Sequence, residues 1–262
     1  ALATDALERG FLLVDQGDDD AAVVGGVGLA DDGEVAIEEF KPERARDLDL
    51  ALLAVSGDFA KEHAPGLVKA GVAVVDNSSA FRLQDDVPLV VPEVNAHAVG
   101  NARLIANPNC TTAILVVALQ PLHQAFGLKR VIVSTYQAAS GAGAEGMAEL
   151  ERESRRVLVE GEAPRAEFFA HPLAFNLIPH IDAFQPNGYT REEMKVVWET
   201  RKIMGLPDLP VSCTAVRVPT MRVHAESVTV ETERPVTPEA AREVLRNAAG
   251  VRVVDDPAAK LY

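Results

Sequence analysis

The segment Asn107-Pro108-Asn109-Cys110-Thr111-Thr112 sets a thiol where a short apolar run, RLIA, gives way to a longer helical one, AILVVALQPLH. A cysteine in the first turn of a helix lies beside unpaired backbone N–H groups and the positive end of the helix dipole. Both favour the thiolate, which is the nucleophilic form and suits making and breaking a thioester. Asn107 and Asn109 supply turn chemistry ahead of it, and Pro108 stiffens the approach. Taken alone, the position fits a small buried helix-start residue better than a catalyst.

Other polar clusters change that balance. DNSSAFR (76–82) puts two hydroxyls and Arg82 at the end of an apolar run, where open α/β sheets bind ligands. TYQAASGAG (135–143) carries Gln137 into small residues and glycines that let backbone approach a ligand closely. RVPTMRVHAES (217–227) holds Arg217 and His224 around a proline, and WETRK (198–202) sets Glu199 and Lys202 at i, i+3 on one side of a helix. Each has a plain structural alternative: a helix ion pair for Glu199 and Lys202, a satisfied histidine for His224, a solvated guanidinium for Arg82.

The elements that must hold these groups follow from the apolar pattern. Residues 49–55, 72–76, 88–91 and 103–106 are short apolar runs with little alternation, as strands buried on both faces are. A helical crossover, FAKEHAPGLVKAG, joins the first two and ends at Gly71, so the rhythm predicts a parallel, helix-covered sheet up to about residue 110. Residues 111–126 then predict an apolar helix closed by Gly127. Beyond it, 131–137 reads as a strand, 144–162 as a helix with a charged face, and 191–205 as a helix started by Thr190 and stopped by Gly205. Residues 211–220 and 226–235 alternate in the manner of antiparallel strands, and 237–250 reads as a capped amphipathic helix. The first 48 residues give the weakest pattern. VVGGVGLADDG has closely spaced glycines but no helical pattern after it, which favours a hairpin turn over a dinucleotide-binding loop.

With 262 residues, 48% hydrophobic and 24% charged, the chain has the makeup of an ordinary globular protein. No apolar run reaches the roughly 20 residues of a membrane span, and no leader pattern opens the sequence. Two cysteines make a disulfide scaffold improbable and a reducing cytoplasm the expected setting. A net charge of −14 argues against general nucleic-acid binding, and means that cations around an anionic ligand must be deliberately placed.

Taken in order, DNSSAFR, VPLVVPEVN, IANPNCTTA, TYQAASGAG, HPLAFNLIPHID, NGYTREEMKVVWETRKI and VRVPTMRVHAESVTVE resemble the aspartate-β-semialdehyde dehydrogenase family, over residues 50–262. The resemblance implies an α/β fold: a Rossmann-like parallel-sheet cofactor domain over residues 1–109, atypical and incomplete, and an α+β catalytic and dimerisation domain with a mixed sheet over 110–262. It implies interconversion of aspartyl phosphate and aspartate semialdehyde through a thioacyl Cys110, with nicotinamide hydride transfer, in lysine, threonine and methionine biosynthesis. His224 becomes the general acid/base and Gln137 the residue that orients reacting groups. Arg217 pairs with the substrate carboxylate, Glu199 holds its ammonium, and Arg82, Lys202 and Asn109 hold phosphate. For the cofactor, NADP with NAD as the other possibility, the resemblance points to Ser56, Gly57, Ser140 and Gly141. No metal is expected, and the implied assembly is a homodimer or a tetramer of dimers. Cys213 reads as a strand-core residue.

The sequence departs from the family pattern in three places. No glycine-rich turn of the GATGAVG type opens it, and ALATDALERGF matches only the helix after that turn. The stretch corresponding to the 2′-phosphate site is GGVGLADDG, where Asp31 and Asp32 stand in place of cations. The sequence ends at DDPAAKLY, before the further strands and long C-terminal helix of the family. The favoured explanation is a partial or processed form of a full enzyme. The alternatives are use of NAD or another cofactor through a changed loop, and a cofactor-deficient relative, either a thiol acyl-phosphatase or esterase or a non-catalytic partner subunit. The pairing of Glu199 with Arg217 argues for an unblocked amino acid over the substrates of related acyl-phosphate reductases.

Overall fold

The computed structural model describes residues 11–16, 22–27, 37–45 and 48–261. The chain divides into two compact units, Ala1–Asn109 and Cys110–Tyr262. The ALATDALERG segment, the turn expected after Val27, and Asp31 and Asp32 lie outside the described residues.

Unit 1 is built on a six-stranded sheet in the order β3-β2-β1-β4-β5-β6. Its strands are β1 (Phe11–Gln16), β2 (Ala22–Val27), β3 (Ile37–Glu39), β4 (Leu50–Ala54), β5 (Ala73–Asp76) and β6 (Leu104–Ala106). β1, β4, β5 and β6 run parallel, while β1–β2 and β2–β3 are antiparallel. The sheet is therefore parallel where the apolar runs predict it and antiparallel over β2 and β3. The weakly patterned N-terminal region supplies three strands. Helix α1 (Gly57–Lys69) makes the crossover from β4 to β5 and buries Ala60, Ala64 and Leu67. Residues 88–91, expected as a strand, form only one isolated bridge, Leu89 to Ala106. Pro88 has no N–H to give a ladder and Pro92 starts a short helix, Pro92–Asn95, so pairing stops at once.

Unit 2 carries a mixed three-stranded sheet in the order β8-β7-β9. β7 (Leu128–Gln137) pairs in parallel with β8 (Val211–Arg217) and antiparallel with β9 (Ala225–Thr232). The alternation of residues 211–217 marks one wet face correctly, but their direction is parallel to β7 rather than antiparallel. Helices α2 (Cys110–Phe126), α3 (Gly143–Arg155), α4 (Arg191–Met204) and α5 (Pro238–Arg246) complete the unit, and α3 runs on through a π-helical turn, Arg156–Glu160. Leu115 and Leu119 of α2, Val131 and Val133 of β7, Val196 of α4 and Cys213 of β8 form one buried cluster. That core fixes the starts of α2 and α4 against the sheet. Cys213 belongs to it, and burial pushes its thiol up to about 12. Among the described residues no helix is long and apolar enough to cross a membrane.

Candidate active site

The chemistry-bearing groups of unit 2 meet at one end of its sheet. Because β7 and β8 are parallel, they finish together at the paired residues Gln137 and Arg217. Antiparallel β9 begins there, one residue after His224. Helix α2 starts with Cys110 itself, and α4 starts after Thr190, whose hydroxyl accepts the Glu193 N–H while Glu193 reaches back to the Thr190 N–H. This reciprocal cap fixes which residues of α4 fall in its first turn.

Gln137 is buried and its amide is fully specified. Nε2 donates to Glu192 Oε1 at 3.1 Å, and Oε1 accepts from the Thr135 hydroxyl at 2.9 Å. Arg217 is buried at 6% exposure and donates from Nη1 to the Ala138 carbonyl at 2.7 Å. His224 is half-buried. Its Nδ1 accepts the Ala138 N–H at 3.1 Å, so the neutral ring carries its proton on Nε2. Gly141 makes the convergence possible, since a Cβ there would stand 2.8 Å from Arg217 Nη1 and 3.2 Å from His224 Nε2.

The charges explain the titration of the site. Desolvation by the surrounding groups and the Glu192 carboxylate push the Cys110 thiol above its ordinary 9.0, while the Thr111 and Cys110 backbone N–H groups and Arg217 pull it down. The helix-start effect read from the sequence is present, but it is outweighed in the free chain. Burial, then Arg217, lowers His224 below its ordinary 6.5 against the Val223 carbonyl and Glu192, which favours neutral imidazole. Burial lowers Arg217, opposed by Glu192 and Cys110.

Glu192 acts on Cys110, Arg217 and His224 alike, and sequence reasoning missed it. It is a carboxylate of this cluster, and the expected Glu199 is buried two turns further along the same helix. Lys195 pairs with Glu192 at 3.1 Å, as the expected Lys202 stands three residues after Glu199. Glu192/Lys195 and Glu199/Lys202 are both i, i+3 pairs, seven residues apart, so they share one face of α4 and differ by about 10 Å along the axis. Spacing cannot separate them. The signal that does is the capping box at Thr190, which puts Glu192 in the first turn.

In unit 1, Arg82 is buried and donates to the Asn77 carbonyl at 2.8 Å, and Asn109 is buried at the end of the unit. β4 and β5 end beside Ser56–Gly57 and Asn77–Ser78. Ser56 caps α1 by accepting the Phe59 N–H, and the space a Gly57 Cβ would take is open to 3.8 Å, where Ala80 lies. A helix start at the carboxyl end of parallel strands fits a diphosphate-bearing cofactor. In unit 2, Ser140 gives its N–H to the Met221 carbonyl and Gly141 gives its N–H to the Ala138 carbonyl, so the Ser140 hydroxyl is what this turn can present.

Comparison with known proteins gives two family matches: the semialdehyde dehydrogenase NAD binding domain over residues 7–102 and the semialdehyde dehydrogenase dimerisation domain over residues 119–262. The chain is 50% identical over 220 residues to an aspartate-semialdehyde dehydrogenase of Aquifex aeolicus, covering 83% of this chain and 65% of that protein. It is 45% identical over 237 residues to one of Bacillus subtilis, covering 87% of this chain and 68% of the relative. Among solved structures, Vibrio cholerae aspartate semialdehyde dehydrogenase II complexed with ASA superposes with a TM-score of 0.78 at 43% identity, over 83% of this chain and 66% of that one.

Proposed function

We propose, because this chain belongs to the aspartate-semialdehyde dehydrogenase family, that it interconverts aspartyl phosphate and aspartate semialdehyde through a thioester on Cys110. The observation that carries the reading is that Gln137 ends β7 beside Arg217 and bonds Glu192, so a cation and a carboxylate, a pair of opposite charges, stand at the same end of the sheet. A substrate with a free α-carboxylate and α-ammonium is matched by that pair. The Arg217 fork takes the carboxylate bidentately, and Glu192 takes the ammonium, the role the sequence alone assigns to Glu199. Binding the ammonium also neutralises Glu192, removing a main cause of the raised thiol pKa, so the substrate itself favours the thiolate.

In the reductive direction the Cys110 sulfur adds to the acyl carbon of aspartyl phosphate. The carbon–oxygen bond to phosphate then breaks, phosphate leaving with its electron pair. When bound, the nicotinamide supplies the hydride that reduces the thioester, and accepts it in reverse. His224 Nε2–H holds the oxyanion left by hydride addition, the oxyanion collapses to the aldehyde as the carbon–sulfur bond breaks, and the thiolate re-forms. In the oxidative direction His224 holds the same oxygen while the hydride departs. Gln137 offers its remaining Nε2 hydrogen to the reacting oxygen, since its own oxygen is occupied by Thr135. Lys195 stands beside Glu192 as a cation for phosphate. In unit 1, Ser56 and Gly57 would hold the cofactor, which we take to be NADP. The chain acts as a homodimer.

The test is nicotinamide absorbance with aspartate semialdehyde, phosphate and NADP or NAD. Phosphate-dependent reduction that disappears in Cys110→Ser supports the reading, and equal turnover in Cys110→Ser sinks it.

A further inference from the structure

A continuous chain of polar contacts runs through unit 2 from Asp182 to Thr135, and neither end belongs to the groups that meet substrate. Asp182 Oδ2 accepts from Lys195 Nζ at 2.8 Å, and the same ammonium donates to Glu192 Oε2 at 3.1 Å. Glu192 Oε1 accepts from Gln137 Nε2 at 3.1 Å, and Gln137 Oε1 accepts from Thr135 Oγ1 at 2.9 Å. The polarity of each link is forced. An ionised carboxylate can only accept, so the Gln137 amide must turn its nitrogen to Glu192. Its oxygen then faces Thr135, which must donate.

Both ends are rigidly built. Thr135 is fully buried in β7, two residues before Gln137 on the same face of the strand. Asp182 has φ +68°, a left-handed conformation that aspartate tolerates better than most residues, and its Oδ1 accepts the Ala183 N–H at 2.8 Å. The loop it opens folds back on itself through the Phe184–Thr190 bridge and enters α4 with the Arg191 N–H on the Ala183 carbonyl. Asp182 is thereby fixed to the start of the helix that carries Glu192 and Lys195.

We propose that Asp182 and Thr135 are positioning residues for the Cys110 reaction, holding the Gln137 amide from both ends so that it presents N–H, and never C=O, to the reacting oxygen. Asp182 acts through Lys195, whose shared ammonium holds Glu192 turned toward Gln137. Thr135 acts directly, by occupying the amide oxygen. The inference rests on the acyl-transfer reading above.

The experiment uses the 262-residue chain as Thr135→Val, Thr135→Ser and Asp182→Asn. Valine keeps the shape of threonine without its hydroxyl, and asparagine tolerates the left-handed conformation while removing the charge. Two readouts are taken together: kcat and KM for aspartate semialdehyde oxidation, and the side-chain amide resonances of Gln137 in the 15N-labelled protein, assigned by their loss in Gln137→Asn. Thr135→Val and Asp182→Asn are expected to lose about tenfold or more in kcat, with KM changed about twofold at most, and to shift or broaden the Gln137 amide signals. Thr135→Ser is expected to restore both. Unchanged Gln137 signals in Thr135→Val and Asp182→Asn overturn the proposal, as does a kcat within about twofold of the parent's. If the parent shows no turnover, the functional reading fails on kinetics while the amide signals still decide whether the two residues hold Gln137.

Discussion

The groups around Cys110 are chosen for charge as much as for reactivity. In the free chain the thiol is held above its ordinary range by desolvation and Glu192, and Arg217 with two backbone N–H groups offsets only part of this. The sign of a substitution follows directly. Glu192→Gln removes a negative charge, favours the thiolate, and is expected to lower the pH midpoint of Cys110 alkylation by about half to one unit. Glu199→Gln, two turns away, is expected to leave that midpoint in place. Iodoacetamide labelling of Cys110 against pH checks both. A shift with Glu199→Gln and none with Glu192→Gln would restore the assignment that the sequence alone suggests. At this scale the sequence discloses Cys110, Gln137, Arg217 and His224, because each stands in a local pattern of strand end, glycines or helix start. It does not disclose Glu192 by spacing, because the seven-residue repeat of α4 presents two equivalent acid–base pairs on one face, and only the capping box at Thr190 sets Glu192 in the first turn.

Elements bring these residues together by ending in the same place. Parallel β7 and β8 stop at Gln137 and Arg217, β9 starts beside His224, and α2 and α4 open at Cys110 and Arg191. The start of α4 is set by the Thr190–Glu193 box, and Glu193 also accepts the Ala215 N–H of β8, so one acid ties helix to sheet. Thr190→Ala is expected to cost about 1 kcal/mol, seen as a lower urea midpoint with an unchanged slope. A change below about 0.3 kcal/mol would show that packing alone fixes the helix start. Runs such as DLALLAV and VAVVD reveal β4 and β5 because strands buried on both faces need little alternation. The direction of β8 is not readable, since alternation reports a wet face and says nothing of which neighbour a strand will pair with. Residues 88–91 mislead for a related reason: they are apolar enough for a strand, but the prolines at 88 and 92 end the ladder after one bridge.

For the whole molecule, the two units carry separate sets of candidate groups. Unit 2 holds Cys110, Gln137, Glu192, Lys195, Arg217 and His224, while unit 1 holds Arg82 and the Ser56–Gly57 helix start. The glycine- and aspartate-rich N-terminal region conceals its strands because those residues have low strand propensity, and the sheet claims them through pairing with β1 and β4 instead. On a background of −14 net charge, Arg217 and Lys195 are cations held by specific carbonyl and carboxylate partners, as an anionic amino-acid substrate requires. Whether Cys110 carries the acyl group is decided by the intact mass and peptide map of the chain mixed with aspartate semialdehyde and NADP in the absence of phosphate. An aspartyl group is expected on the Cys110 peptide, formed together with reduced cofactor and discharged when phosphate is added. Phosphate-dependent turnover with Cys110 never modified would contradict that role.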